Sequence, residues 1–492
     1  MFESAELGHK IDKETYNKEV PQLRELLLDA QLEMTQAAKF PIVIIISGVD
    51  GAGKGDTVNI INEWMDPRHI QSNAMGKPSD EELERPEMWR FWRALPPKGK
   101  VGIFIGSWYS KPILDRVYGI SKNSELDQSM ERIIRFEKML TDEGVLILKY
   151  WLHLSREKQK ERFKALENDK KESWRVTETD WKHLKMYDSF LRVTERALRQ
   201  TSTAEAPWTI IEGSDARYRY LTIGKSILQA LKRRLETKKN PVVRNDIPPL
   251  MPAIDNLLVL RTLDLSKTLS EKKYKSDLAK YQGKLNLLTR QPEFKEISVV
   301  VVFEGFDAGG KGGSIRRITG ALDARGYRII PIAAPTEEER AQPYMWRFWR
   351  HLPRRDVVAI FDRSWYGRVL VERIEGFCSE SDWMRAYGEI NDFEEQLIRH
   401  KIVVVKFWLN ISKEEQLRRF EEREKTGFKR FKITPEDWRN REKWEAYELA
   451  ASDMIDRTST EIAPWTMVEA NDKKYARIKV LRTLCERIEA AL

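Results

Sequence analysis

Short, unbroken apolar runs alternate along this chain with longer charged stretches whose apolar residues recur at helical spacing. In the second half the runs are 299–303, 327–332, 357–361, 402–407 and 465–468, rich in Val, Ile and aromatic residues. A strand that is apolar at every position has both faces buried, which antiparallel sheets with one wet face do not need. Strands of that kind separated by amphipathic helices predict an α/β, three-layer fold: a parallel five-stranded sheet covered on both sides. A helix over 274–290 leads into this half, and one over 16–38 is its counterpart near the start.

The pattern occurs twice. Gly48-Val49-Asp50-Gly51-Ala52-Gly53-Lys54-Gly55 follows the run 42–46, and Gly305-Phe306-Asp307-Ala308-Gly309-Gly310-Lys311-Gly312 follows the run 299–303. The offsets 305 − 48 and 311 − 54 are both 257. The same shift carries 86–93 onto 343–350, Ser107-Trp108-Tyr109 onto Ser364-Trp365-Tyr366, and Ala206-Pro207-Trp208-Thr209 onto Ala463-Pro464-Trp465-Thr466. Solenoid repeats run at roughly 20–50 residues, so a period this long means a whole domain duplicated in tandem. The expected boundaries are 1–240 and 256–492, with the proline-punctuated stretch 241–255 as linker.

Each G-x-x-x-x-G-K core lies between a buried-strand pattern and a helical one, the setting that gives this short motif its meaning. Glycines let the backbone N–H groups turn inward, the helix N-terminus adds positive potential, and the lysine meets the outer phosphates. Ligands of such sheets bind beyond the carboxyl ends of the strands, where both loops fall.

Composition narrows the field only a little. A net charge of +9, spread over 86 Lys and Arg and 77 Asp and Glu, suits either a solvated surface or a polyanionic ligand. Nucleic acid and a polymer of phosphate both qualify. Two cysteines, Cys378 and Cys485, make no disulfide framework. No run has membrane-spanning length and the first residues carry no secretory pattern, which points to a cytoplasmic protein without a membrane partner.

The chemistry concentrates in the second half. Asp362-Arg363-Ser364-Trp365-Tyr366-Gly367-Arg368 follows the run 357–361, and a carboxylate at the end of a buried strand beside a phosphate loop is where P-loop enzymes hold Mg²⁺. Asp307, inside the loop, is a second carboxylate nearby. Two carboxylates among phosphates repel unless a divalent ion sits between them, so Asp307 and Asp362 are the candidate metal ligands. Lys311 and Arg363 join them as candidate catalytic groups, Arg363 offering a planar fork to phosphate oxygens. Gly305, Gly309, Gly310, Gly312, Gly313, Ser314 and Arg368 are the expected phosphate contacts. The basic stretch 425–432 reads as a lid that brings Lys429, Arg430 and Lys432 onto the transferring group. In Met345-Trp346-Arg347-Phe348-Trp349-Arg350 the tryptophans form a core stripe, while the arginines, on another face, are candidates for a phosphate track.

The loop G-x-D-x-x-G-K-G-G-S at 305–314, the strand-end D-R-S-W-Y-G-R at 362–368 and the basic lid resemble the polyphosphate kinase 2 family, in its two-domain fused form. Glycine, not Ser or Thr, follows the lysine, itself a mark of that family. The resemblance spans nearly the whole chain. It implies Mg²⁺-dependent transfer from inorganic polyphosphate to a nucleotide, AMP giving ADP, with no nucleic acid as partner and self-association left open. The first half is a worn copy. Ile105 and Gly106 stand at the places of Asp362 and Arg363, Asp56 at that of Gly313, Asn59 and Ile60 at those of Arg316 and Arg317, and Lys111 at that of Arg368. Every loss falls on phosphate or metal binding while the tryptophans persist, so the tryptophans are structural and the second domain is the catalytic one. The competing readings are a polyphosphate-dependent nucleoside diphosphate kinase, an ATP-dependent small-nucleotide kinase, and a basic nucleic-acid-binding scaffold.

Overall fold

A computed structural model describes residues 1–236, 258–427 and 433–492. The expected linker, 241–255, lies outside them. Two compact units result. The first gathers Met1–Pro78, the stretch from Arg90 through the helix Ala216–Glu236, and Pro335–Arg347; the second takes Ser79–Trp89 with the remainder of the second half.

In the first unit, strands β1 (Ile42–Gly48), β2 (Ile70–Ala74), β3 (Val101–Ile105), β4 (Leu146–His153) and β5 (Trp208–Glu212) make one sheet in the order β2-β3-β1-β4-β5. In the second, β6 (Ser298–Gly305), β7 (Tyr327–Pro331), β8 (Val358–Asp362), β9 (Ile402–Asn410) and β10 (Trp465–Glu469) repeat that order as β7-β8-β6-β9-β10. All pairings are parallel. Every residue of β6 before Gly305 is buried, which accounts for the uninterrupted apolar run. The expected strands are all present, shifted at most by a few residues, and the two expected helices run Lys13–Ala37 and Glu271–Leu288.

The repeated Ser-Trp-Tyr triplets build the same buried polar knot in each unit. Trp365 Nε1 and Tyr366 Oη donate to Glu394 at 3.1 and 2.7 Å, and Lys406 Nζ reaches Glu394 at 2.7 Å, Tyr366 Oη at 2.9 Å and the Thr458 carbonyl at 2.8 Å. Trp108, Tyr109, Glu137, Lys149 and Thr201 repeat it. Trp89, Trp92, Trp346 and Trp349 are buried. The tryptophans are therefore structural. Arg347 is buried as well and ion-paired with Glu339, so burial removes it from any phosphate track. Among the described residues no helix is long and apolar enough to cross a membrane.

Candidate active site

The phosphate loop of the second unit starts where β6 must end. Gly305 has φ 137°, and a Cβ there would lie 2.4 Å from the Leu409 carbonyl oxygen, so only glycine fits. Gly310, at φ 109°, turns the chain into the helix Lys311–Thr319. The loop is braced from behind: Gln416 Nε2 donates to the Asp307 carbonyl at 3.1 Å, and buried Arg419 donates to the carbonyls of Ala308 and Ala470. Lys311 Nζ folds back onto the Gly305 carbonyl at 2.7 Å.

Residues of this loop line two cavities. The first, of about 70 Å³, is lined by Glu304, Gly305, Asp307, Arg363 and Asn440 and by the aromatic walls of Phe306, Trp408, Trp444 and Tyr447. Phe306 and Trp444 stack with ring centroids 4.0 Å apart. The second, of about 190 Å³, is lined by Gly309, Gly310, Gly312, Gly313 and Ser314, facing Arg316, Arg317, Arg423, Lys473 and Arg477. The first combines aromatic rings with charged groups, and the second is mainly cationic, with Glu422 as the one carboxylate in its lining.

Asp307 is the hub of the first cavity. Its Oδ1 accepts from Arg363 Nη2 at 3.1 Å and its Oδ2 from Asn440 Nδ2 at 2.9 Å. Burial alone would favour its neutral form, but Lys311, Arg363 and Asn440 outweigh it and hold the carboxyl below the usual range. Burial has the opposite effect on Glu304. It pushes that carboxyl up, Asp362 adds to the rise, and Lys311, the Ser364 hydroxyl and Arg363 oppose it without cancelling it. Asp362 closes β8 as expected, and Arg363 follows in the left-handed region at φ 65°.

The sequence thus names Asp307, Lys311, Arg363 and the loop glycines, and the fold brings them together. Arg368 takes another direction: it is paired with Glu372 at 3.3 Å and lines neither cavity. Lys429, Arg430 and Lys432 lie outside the described residues. Glu304 and Asn440 escaped the sequence reading. A carboxylate closing an apolar strand was the available signal for Glu304; its counterpart in the first half is Ser47. Asn440 stands on a helix far along the chain and gave none.

In the first unit the loop keeps its shape and turns inward. Lys54 Nζ is held by the carbonyls of Gly48 and Val49 at 2.9 and 3.0 Å and by Asp50 at 3.3 Å. His183, at the place of Asn440, approaches Asp50 Oδ2 at 2.7 Å. Asp56 pairs with Arg175 at 2.8 Å across the helix start where phosphate would approach.

A duplicated P-loop α/β core with one equipped and one depleted loop defines the class. The profile of the family described as Polyphosphate kinase 2 (PPK2) matches residues 10–239 and 268–492, and the chain belongs to that family. It is 59% identical over 491 residues to a polyphosphate:AMP phosphotransferase of Pseudomonas aeruginosa, covering 100% of this chain and 99% of that one. A polyphosphate:AMP phosphotransferase of Acinetobacter johnsonii is 38% identical, with 95% and 96% covered. A crystal structure from Pseudomonas aeruginosa PA01, assigned to polyphosphate kinase 2, superposes with a TM-score of 0.91 at 57% identity, covering 100% and 99% of the two chains.

Proposed function

We propose that this chain transfers a phosphoryl group from inorganic polyphosphate to AMP, giving ADP, and that the second unit performs the transfer. The likeness to polyphosphate:AMP phosphotransferases over the full length of both chains supports the reaction. The single observation that carries the site is the pair of unlike cavities meeting at one phosphate loop. A polyanion has its natural track along Arg316, Arg317, Arg423, Lys473 and Arg477. A nucleotide fits the other side, its base among Trp408, Trp444 and Tyr447 and its phosphate toward Arg363 and Lys311.

The two carboxylates suit a divalent ion. Mg²⁺ commonly takes one or two carboxylates and completes its shell with water and substrate phosphates, and no cluster of three or more His, Cys, Asp or Glu is needed or present among the described residues. Asp307 and Asp362 are the residues that would hold it, and when bound it supplies charge neutralisation between donor and acceptor phosphates. The chain's own groups do the rest. Arg363 and Lys311 offset charge spreading over the equatorial oxygens, while the aromatic walls and the brace behind the loop hold the acceptor in line.

Purified protein given polyphosphate and Mg²⁺ without ATP should convert AMP to ADP. A protein needing ATP as donor, or accepting only nucleoside diphosphates, would replace this reading with one of its rivals.

A further inference from the structure

We propose that Asn440 is a positioning residue for the transfer: it fixes the plane of the Asp307 carboxylate and ties it, through Tyr447, to the wall of the nucleotide cavity. This rests on the reading that the second unit phosphorylates AMP. Asp307 is gripped at both oxygens, Oδ1 by Arg363 at 3.1 Å and Oδ2 by Asn440 at 2.9 Å. The bond that turns a carboxylate has a broad, soft torsion, so one hydrogen bond leaves the group free to swing and two hold it in one plane.

The Asn440 amide has a single orientation open to it. A carboxylate only accepts, so Nδ2 must face Asp307, and Oδ1 is left to accept from the Tyr447 hydroxyl at 3.3 Å. Burial pushes the Tyr447 phenol up, which keeps it a donor. Tyr447 also lines the cavity proposed for the base. One chain of hydrogen bonds therefore runs from that wall, through Asn440 and Asp307, to Arg363. The helix that carries Asn440, Pro435–Glu442, is itself held in two further places. Arg439, and Lys443 just past its end, pair with Glu375 at 3.4 and 3.0 Å. Arg441 donates to the Lys413 carbonyl at 2.6 Å and to Gln416 Oε1 at 3.3 Å, and Gln416 in turn holds the Asp307 carbonyl. The helix thus reaches Asp307 twice, at its side chain and at its main chain.

The first unit supplies an independent comparison. There Asp50 Oδ2 meets His183 Nδ1 at 2.7 Å, and His183 Nε2 meets Tyr118 Oη at 2.6 Å. His183 stands at the place of Asn440, but Tyr118 stands at that of Glu375, and Phe190 at that of Tyr447. A tyrosine, a middle group with two polar ends and the loop aspartate recur in both units although the tyrosine has changed places. A chain rebuilt from a different position marks a demand of the aspartate and not an accident of one helix. The two chains end differently. In the first unit the other aspartate oxygen is taken by Lys54 of the same loop, at 3.3 Å, whereas in the second it faces Arg363, the group placed toward the transferring phosphates.

The test uses the full chain and the variants Asn440→Ala, Tyr447→Phe, Asp307→Asn and Asn440→Ala with Asp307→Asn. Turnover and KM for AMP are measured with polyphosphate and Mg²⁺, and Mn²⁺ affinity by electron paramagnetic resonance gives a readout without turnover. Asn440→Ala should lower kcat and Mn²⁺ affinity about 10–100-fold, the scale for losing a group that orients a metal ligand, and should change KM for AMP by less than about threefold. Tyr447→Phe keeps the ring and should lower kcat several-fold. The double variant should be no slower than Asp307→Asn alone, because Asn440 acts through that carboxylate. Parental kcat in either Asn440→Ala or Tyr447→Phe, a loss confined to KM, or a double variant slowed by the full product of its singles would each overturn the proposal. An Asn440→Ala protein that does not fold leaves Tyr447→Phe to decide. A parent protein that leaves AMP unchanged refutes the proposed reaction, while the Mn²⁺ titration still reads whether Asn440 acts on Asp307; a parent that neither turns over nor binds Mn²⁺ overturns both.

Discussion

Arg363 holds its backbone at φ 65°, a conformation that costs a residue with a Cβ about 1 kcal/mol. Its counterpart Gly106, at φ 72°, has the same turn without that cost. The strained arginine aims a guanidinium at Asp307, which is the use of the strain. Arg363→Gly should therefore be more stable than Arg363→Ala by about 1 kcal/mol in parallel denaturation curves. Both should lose on the order of 10²–10³ in rate, the scale of removing one preorganised charge-stabilising group. Glu304 gives a pH-dependent prediction. Its folded form binds the proton more tightly than the unfolded chain does, so its ionisation removes stability as the pH rises from the ordinary carboxylate value through the raised one. Glu304→Gln should raise the melting temperature at pH 7 and leave it nearly unchanged at pH 4. A gain that is equal at both pH values would separate Glu304 from this titration.

At the scale of elements, the loop works because β6 stops against Leu409 and the helix Lys311–Thr319 starts after a left-handed glycine. Both ends were readable beforehand, since apolar runs and glycine spacing report local backbone demands. The flanking strands were equally plain, because burial on both faces leaves an uninterrupted apolar signature. What the sequence did not yield was the partner list of each side chain. Asn440 meets Asp307 across 133 positions and Glu394 meets Lys406 inside the core, and no local period encodes such pairs. Arg368 is a case where the motif and the local pairing point different ways. A motif places it among phosphates, but a carboxylate one helical turn away at Glu372 takes it up. The Glu394–Lys406 pair also sets a stability test. Lys406→Met strands a buried carboxylate, and losing one member of a buried pair costs about 3–5 kcal/mol. Thermal unfolding of the second unit should fall by many degrees, whereas Lys413→Met, which breaks a pair between half-exposed Lys413 and exposed Glu445, should shift it little.

Over the whole molecule the two copies share one topology and differ in equipment. Lys311→Ala should abolish AMP phosphorylation, because it removes the lysine proposed to meet the transferring phosphates. Lys54→Ala should leave most of it, because its loop already faces Gly106 and a salt-bridged Asp56. Equal losses measured in steady-state assays would mean that the first loop takes part in turnover.

The loops also differ in where they keep a single methyl. Ala52 faces Gly213 in the first unit, and a Cβ added to Gly213 would come within 3.2 Å of the Ala52 Cβ. In the second the sizes are exchanged: Gly309 stands at the place of Ala52 and Ala470 at that of Gly213. A Cβ on Gly309 would meet the Phe306 carbonyl oxygen at 2.8 Å. Tandem copies in one gene invite sequence to be copied from one half into the other, and the loop glycines set a cost on such copying. Copying the second loop into the first replaces Ala52 with glycine but also Gly51, at φ 77°, with alanine, whose Cβ would lie 2.9 Å from the Phe163 ring. Copying the first loop into the second forces a methyl against backbone in the equipped site. Each copy therefore resists being overwritten by its twin, the first at Gly51 and the second at Gly309.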